Sequence, residues 1–167
     1  ENALRDDESA KIWQDAGMPK NRIYYLGADK NWWQVGESGP CGPDSEMYYD
    51  VTVEGLGDLS HEEFVKADDQ RQVVEIWNDV FMEFLKKDGK IVGILPKKNV
   101  DTGAGLERVT AVIQGKDNIY DTDLFSKIME MVKPWAKDLR GQRIISDHFR
   151  SSVFLIGEGV TPSNTDR

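Results

Sequence analysis

The stretch Val73–Phe84 limits what this chain can fold into more than any other segment: it is long, aromatic and free of glycine and proline. Such a run reads as a β-strand. Asp88-Gly89 follows it, and a second apolar run then reaches Leu95 before Pro96. Asp-Gly between two strand candidates is hairpin chemistry, which forces antiparallel pairing. The spacing predicts a second strand ending at Pro96 and a loop of two residues or slightly more, because Lys86 and Lys87 are poor strand formers. Alternation puts Ile76, Asn78, Val80 and Met82 on one face of the first strand, and Glu75, Trp77, Asp79 and Phe81 on the other. An asparagine among three apolar residues is out of place on a plain core face, so Asn78 is expected to meet a ligand. The same alternation keeps Glu75 off that face unless a bulge intervenes.

Other segments fit around this hairpin. Glu1 to about Gly17 reads as a helix with an acidic start, stopped by Gly17 and Pro19. Arg22–Leu26 is a short strand candidate, and Met47–Val53 another. Between them, Gly39-Pro40-Cys41-Gly42-Pro43 reads as a loop, since prolines so spaced suit neither a helix nor a central strand. Ser60-His61-Glu62-Glu63 is a capping-box pattern that predicts a helix to about Ala67. Helical spacing continues in Gly103–Gln114. Asp121-Thr122-Asp123 can cap a helix whose apolar side is Leu124, Phe125, Ile128, Met131 and Val132, and Ile144–Ile156 forms a third helix stopped by Gly157. Strands give way to helices near residue 115, which predicts an α+β fold followed by a separate helical region.

Composition narrows the function classes. No run approaches the roughly 20 apolar residues of a membrane span, and the acidic start is unlike a secretory signal. A single cysteine, Cys41, rules out an internal disulfide and a cysteine-rich zinc site, and fits a reducing cytosol. The net charge of −9 lies almost wholly before residue 117. A surface that grips a phosphate backbone is normally basic, so this segment is not expected to be the main nucleic-acid platform. Cys41 reads as a small buried residue and not a nucleophile, His148 as a hydrogen-bonded structural histidine, and Trp32, Trp77 and Trp135 as packing residues.

The densest motif is Asp101-Thr102-Gly103-Ala104-Gly105-Leu106-Glu107-Arg108, joining the second hairpin strand to a helix. Its glycines let backbone approach a ligand, the helix start offers free N–H groups, and an arginine one turn in can clamp phosphate oxygens. A tight turn with a solvated arginine would look similar, and either Asp101 or Thr102 can serve as the helix N-cap. Gly103 to Arg108 nevertheless resembles the third signature of class II aminoacyl-tRNA synthetases, and Val100-Asp101-Thr102 before it resembles the alanyl family in particular. Four further blocks agree in order. They are Trp33 with Gly39–Pro43 and Ser45-Glu46; Trp77-Asn78 with Val80-Phe81-Met82; Tyr120 to Phe125; and Ser146-Asp147-His148 through Arg150 with Pro162-Ser163-Asn164. The resemblance covers the chain from about Asp6.

That resemblance implies a partial class II antiparallel sheet with flanking helices. Residues 1–115 would be the back part of the aminoacylation domain, and 116–167 the start of a helical tRNA-recognition domain. It implies a cytoplasmic ligase that activates alanine with ATP and Mg2+ and transfers it to tRNA(Ala), with no membrane partner. Residue by residue, Asp101 would receive the α-amino group of alanine and Gly103 would leave room for it. Trp33 and Val80 would wall the pocket, with Asn78 as its polar contact. Gly105 and Arg108 would meet the nucleotide, Arg108 at the γ-phosphate. Alternation keeps Glu75 from serving as a magnesium ligand on that face. Where the family often carries a second cysteine, this chain has Asp44, so a two-cysteine role is unavailable. The family's first and second signatures are expected before Glu1, and the polar Thr161–Arg167 ends without a stop signal, as a truncated chain would. The chain alone is therefore expected to be inactive. A non-catalytic paralog used for binding or regulation is the alternative.

Overall fold

The computed structural model describes residues 5–164. These residues fall into two units, Glu1–Val109 and Thr110–Arg167. The first is built on one sheet of four antiparallel strands in simple order: β1 (Trp32–Gln34), β2 (Gly39–Asp50), β3 (Val73–Lys87) and β4 (Lys90–Ala104). Helix α1 (Asp7–Asp15) precedes the sheet, and α2 (His61–Asp69) lies between β2 and β3. The part of the first expected helix over residues 1–4 lies outside the described residues. Asp6 caps α1 by accepting from the Ser9 N–H at 2.9 Å, and Trp13 ties the helix to β2 through an Nε1–H bond to Ser45 Oγ at 2.7 Å.

The hairpin forms as its sequence dictates. Lys87 pairs with Lys90, leaving Asp88-Gly89 as a two-residue loop with φ of 48° and 75°. Positive φ at both positions is the turn geometry that matches strand twist. The second strand, however, does not end at Pro96. It continues to Ala104, because the register with β3 jumps from Phe84↔Ile94 to Met82↔Asn99 and loops Leu95–Lys98 out of the ladder. A proline outside the ladder has no hydrogen bond to lose.

The same physics corrects the expected Gly39–Pro43 loop. These residues open β2, between β1 and β3. The pairing with β3 jumps from Cys41↔Phe84 to Asp44↔Val80, so Gly42 and Pro43 have no partner on that side. The two strands crowd there: a Cβ on Gly42 would stand 1.8 Å from the Phe81 carbonyl oxygen. Cys41 is fully buried, as expected of a small apolar residue. The expected strand at Arg22–Leu26 is absent. Lys20–Arg22 forms a single 3-10 turn instead, and Tyr24 and Leu26 pack on a core made of Phe64, Ala67 and Val73. Tyr24 stacks on Phe64 at 4.2 Å between ring centres, and Tyr48 meets Phe64 edge-on at 5.2 Å.

Helix α2 begins with the full capping box. Ser60 Oγ accepts from the Glu63 N–H, and the Glu63 carboxylate accepts from the Ser60 N–H at 2.8 Å. This bond holds the Glu63 carboxyl below the usual glutamate range. Ser60→Ala is expected to cost about 1 kcal/mol and to lower the melting midpoint by about 2–4 °C. Stability of the wild-type chain should in turn fall in acid, because the bond from the Ser60 N–H lowers the Glu63 carboxyl, and a lowered carboxyl contributes stability above its unfolded value and loses it as pH falls through the folded one. Circular-dichroism melts at neutral and acid pH check both points, and an unchanged neutral midpoint would count against the cap.

The second unit is helical: α3 (Leu106–Ile113) leads into it, followed by α4 (Ser126–Val132) and α5 (Leu139–Gly157). Phe125, Met129, Val132 and Ser146 are buried, with Ser146 Oγ 3.2 Å from Met129 Sδ. The expected cap at Asp121–Asp123 is not used as one. Thr122 is buried and donates to the Ile119 carbonyl at 2.6 Å, closing a separate turn, and α4 starts only at Ser126. His148 does not sit in a core; its side chain is exposed and lies 3.4 Å from Asp147. Trp135, expected to pack, is 80% exposed. Among the described residues no helix is long and apolar enough to cross a membrane.

Candidate functional site

Strand register assembles one face of the sheet. Glu46 on β2, Asn78 on β3 and Gly103 on β4 stand in one cross-strand row, and Asp44, Val80 and Asp101 in the next. Four residues expected at an amino-acid pocket, Asn78, Val80, Asp101 and Gly103, are thus neighbours. Val80 is buried and can wall a pocket, whereas Asp101 is exposed with its carboxylate open to a ligand. A Cβ added to Gly103 would meet nothing within 4 Å, so the space above the sheet at that point is free. Trp33 lies one strand further out, half-buried and paired with Gly42, two residues from Asp44.

Glu75 joins this face, against the expectation from alternation. Between Trp77 and Glu75 the ladder advances two residues on β3 but only one on β2, from Met47 to Tyr48, so Ile76 is an extra residue. A bulge of this kind reverses the side-chain alternation beyond it. Glu75 therefore faces the same groove as Glu46 and Tyr48, an open space of about 600 Å³ that Lys30, Arg71 and Arg108 also line. No property of β3 read alone reveals the bulge; it arises in the pairing with β2.

Arg108 reaches the groove from α3. Its Nη1 donates to the Glu75 carboxylate at 2.6 Å and to the Glu75 carbonyl at 3.1 Å. The strand-to-helix junction at Gly103–Gly105 puts this arginine one turn into the helix. Neither Asp101 nor Thr102 caps that helix, which starts at Leu106. The Thr102 hydroxyl is engaged across the other face of the sheet, accepting from Trp77 Nε1 and donating to Asp79, each at 2.6 Å. Gly105 has no tight neighbour, since the nearest atoms to a Cβ there would be those of the Arg108 side chain at 3.6 Å.

A polar network that sequence reasoning missed surrounds Asn78. Its Nδ2 donates to Glu46 Oε1 at 3.2 Å and to Asp44 Oδ2 at 3.4 Å, and the Tyr48 hydroxyl donates to Glu46 Oε2 at 2.6 Å. Asn78 Oδ1 and Asp44 Oδ1 are buried without a hydrogen-bond partner. Burial raises the carboxyls of both Asp44 and Glu46 above their usual range, opposed by the hydrogen bonds from Asn78 and Tyr48 respectively. Burial, and then the bond to Glu46, pushes the Tyr48 phenol up. The pair Ser45-Glu46 was visible in the sequence, but only pairing across β2 and β3 shows what Glu46 holds.

The arrangement offers a free carboxylate, an amide oxygen and an open glycine on one side, with an arginine at a groove on the other. The family model described as tRNA synthetases class II (A) matches residues 2–167. The chain belongs to the class II tRNA synthetases. It is also similar to alanine–tRNA ligases. It is 42% identical to that of Corynebacterium efficiens over 98% of this chain and 20% of the relative, and 44% identical to that of Solibacter usitatus over 97% and 20%. The alanine–tRNA ligase of Myxococcus xanthus is 42% identical over 97% of this chain and 19% of the relative. The chain therefore spans about a fifth of the length of these curated relatives. For a class II synthetase segment the α+β architecture with its antiparallel sheet is the expected one, and the structure has it.

Proposed function

We propose that this segment supplies the amino-acid and terminal-phosphate contacts of an alanine–tRNA ligase. In this reading residues 1–115 are the back part of the aminoacylation domain and 116–167 begin a helical tRNA-recognition domain, in a protein of the cytoplasm. The observation that carries it is the cross-strand placement of Asn78, Val80, Asp101 and Gly103 on one face, next to the groove that holds Arg108. Asp101 takes the ammonium of alanine, the empty space at Gly103 receives the small substrate, and Val80 and Trp33 bound its methyl group. Gly105 and Arg108 meet the nucleotide, with the arginine on the terminal phosphate.

In the reaction, a carboxylate oxygen of alanine attacks the α-phosphorus of ATP. A new O–P bond forms as the bond to pyrophosphate breaks, and the alanyl group then passes to tRNA(Ala) with release of AMP. No proton must be moved in the first step, so the residues act by positioning and charge. Magnesium fits the donor set in the manner usual for it, through one or two carboxylates plus substrate phosphates. Among the described residues no three acidic, histidine or cysteine side chains converge on a metal site, and Glu75 on the groove is the residue that would hold the ion. Bound there, it would supply charge neutralisation of the phosphates.

The testing experiment is alanine-dependent exchange of pyrophosphate into ATP by the full-length protein that carries this segment. Exchange with alanine, well above that with glycine or valine, is expected. The pure 167-residue chain is expected to show none, since it spans a fifth of its relatives. Absence of exchange by the full-length protein, with alanine still bound, would replace this reading with that of a non-catalytic binding module.

A further inference from the structure

The hydrogen bonds around Asn78 fix which way its amide faces. Both hydrogens of Nδ2 are taken, one by Glu46 and one by Asp44. Turning the amide over would place its oxygen between two carboxylates, so the network admits a single orientation. The outcome is an amide oxygen buried without a donor, in the cross-strand row that includes Gly103. A buried acceptor left unmatched is costly, and the natural complement is a ligand rich in N–H donors. Glu46 is itself held, because Tyr48 donates to its other oxygen while the tyrosine ring packs edge-on against Phe64 in the core. A continuous path thus runs from the α2 core through Tyr48 and Glu46 to Asn78.

We propose that Glu46, clamped by Tyr48, is a positioning residue: with Asp44 it takes both amide hydrogens of Asn78 and so presents the amide oxygen to the ammonium group of the amino-acid substrate. This rests on the alanine-site reading above. Asn78 then acts as an acceptor beside the Asp101 carboxylate, and the site selects a primary ammonium by two acceptors of which only one carries charge.

The test is steady-state pyrophosphate exchange by the full-length protein, with alanine and ATP varied separately. Glu46→Ala frees the amide to turn its N–H groups toward the ammonium, and should raise KM for alanine roughly ten- to a hundredfold, the scale of a hydrogen bond to a charged group. KM for ATP should stay within about twofold. Glu46→Gln keeps an oxygen for Asn78 and turns its own amide toward the Tyr48 oxygen, which can accept, so it should rescue alanine KM to within about threefold. Tyr48→Phe keeps the ring on Phe64 and should raise alanine KM severalfold without changing ATP KM. A general loss of structure would move both constants together and would treat Gln and Ala alike, and either result overturns the proposal. Asp101→Ala is the control for the underlying reading. If it raises alanine KM while Glu46→Ala does not, the positioning role alone is wrong; if neither moves it, both are wrong.

Discussion

Asp101→Ala in the full-length protein should weaken the use of alanine far more than the use of ATP, and Arg108→Ala should do the reverse. On the proposed assignment one residue faces the amino group and the other the terminal phosphate, and the structure separates them by a strand-to-helix junction. Removing one partner of a charged pair typically costs about 2–5 kcal/mol, which is tens to thousands of fold in rate or affinity. The position in that range is informative. Asp101 is exposed in this segment, so a loss near the lower end means that alanine binds in contact with water, and a loss near the upper end means that the site is closed over. Pyrophosphate exchange with each substrate varied in turn makes the measurement. Equal losses for both substrates in both variants would show that the roles are misassigned or that the residues act through folding. A circular-dichroism melt on each variant separates those two outcomes.

Gly42→Ala should destabilise the chain more than alanine at any other of its glycines. The new Cβ would sit 1.8 Å from the Phe81 carbonyl oxygen and 2.9 Å from its carbon, and neither atom belongs to a side chain that can swing away. Strands β2 and β3 would have to part at the register break between Cys41 and Asp44. Overpacking of this kind costs about 3 kcal/mol or more, against a total stability of about 5–15 kcal/mol for a typical domain. Gly103→Ala is the matched control, since its Cβ enters open space. It should fold with a midpoint close to wild type while impairing alanine use, because the methyl group occupies the place proposed for the substrate. Soluble yield and urea midpoints distinguish the two variants. A Gly42→Ala protein as stable as wild type would contradict the close approach of the strands.

Where local chemistry settles conformation, the sequence is a good guide. Asp88-Gly89 turns as its residues require, Ser60 caps as its spacing requires, and the run from Val100 to Arg108 passes from strand to helix where its glycines allow. Three expectations fail for one shared reason, that they treat a strand as if it had no partner. Pro43 and Pro96 lie within strands where register shifts take them out of the ladder with β3, and Pro40 keeps Leu85 as its partner. Glu75 faces the groove because Ile76 is an extra residue relative to β2, and that count exists only once two strands are paired. His148 and Trp135 depart differently: their apolar neighbourhoods in sequence do not oblige them to be covered, and in the second unit both are exposed. Asn78 stands out in the sequence as the odd polar residue of its strand face, but the two carboxylates that fix its amide come from β2 and are legible only through the pairing.

The ion pair between Arg108 and Glu75 sets a condition on what the groove can accept. Arg108 is already neutralised, so a phosphate arriving at it trades one anion for another and gains little by itself. The trade also uncovers Glu75 beside the Glu46 carboxylate, whose protonation that charge already favours. Glu75, Glu46 and a polyphosphate would then share the groove with Arg71 and with Lys30, which is already paired with Asp68, so an added counter-charge relieves the crowding. On the proposed reading, then, a divalent cation and the nucleotide ease each other's entry into the groove.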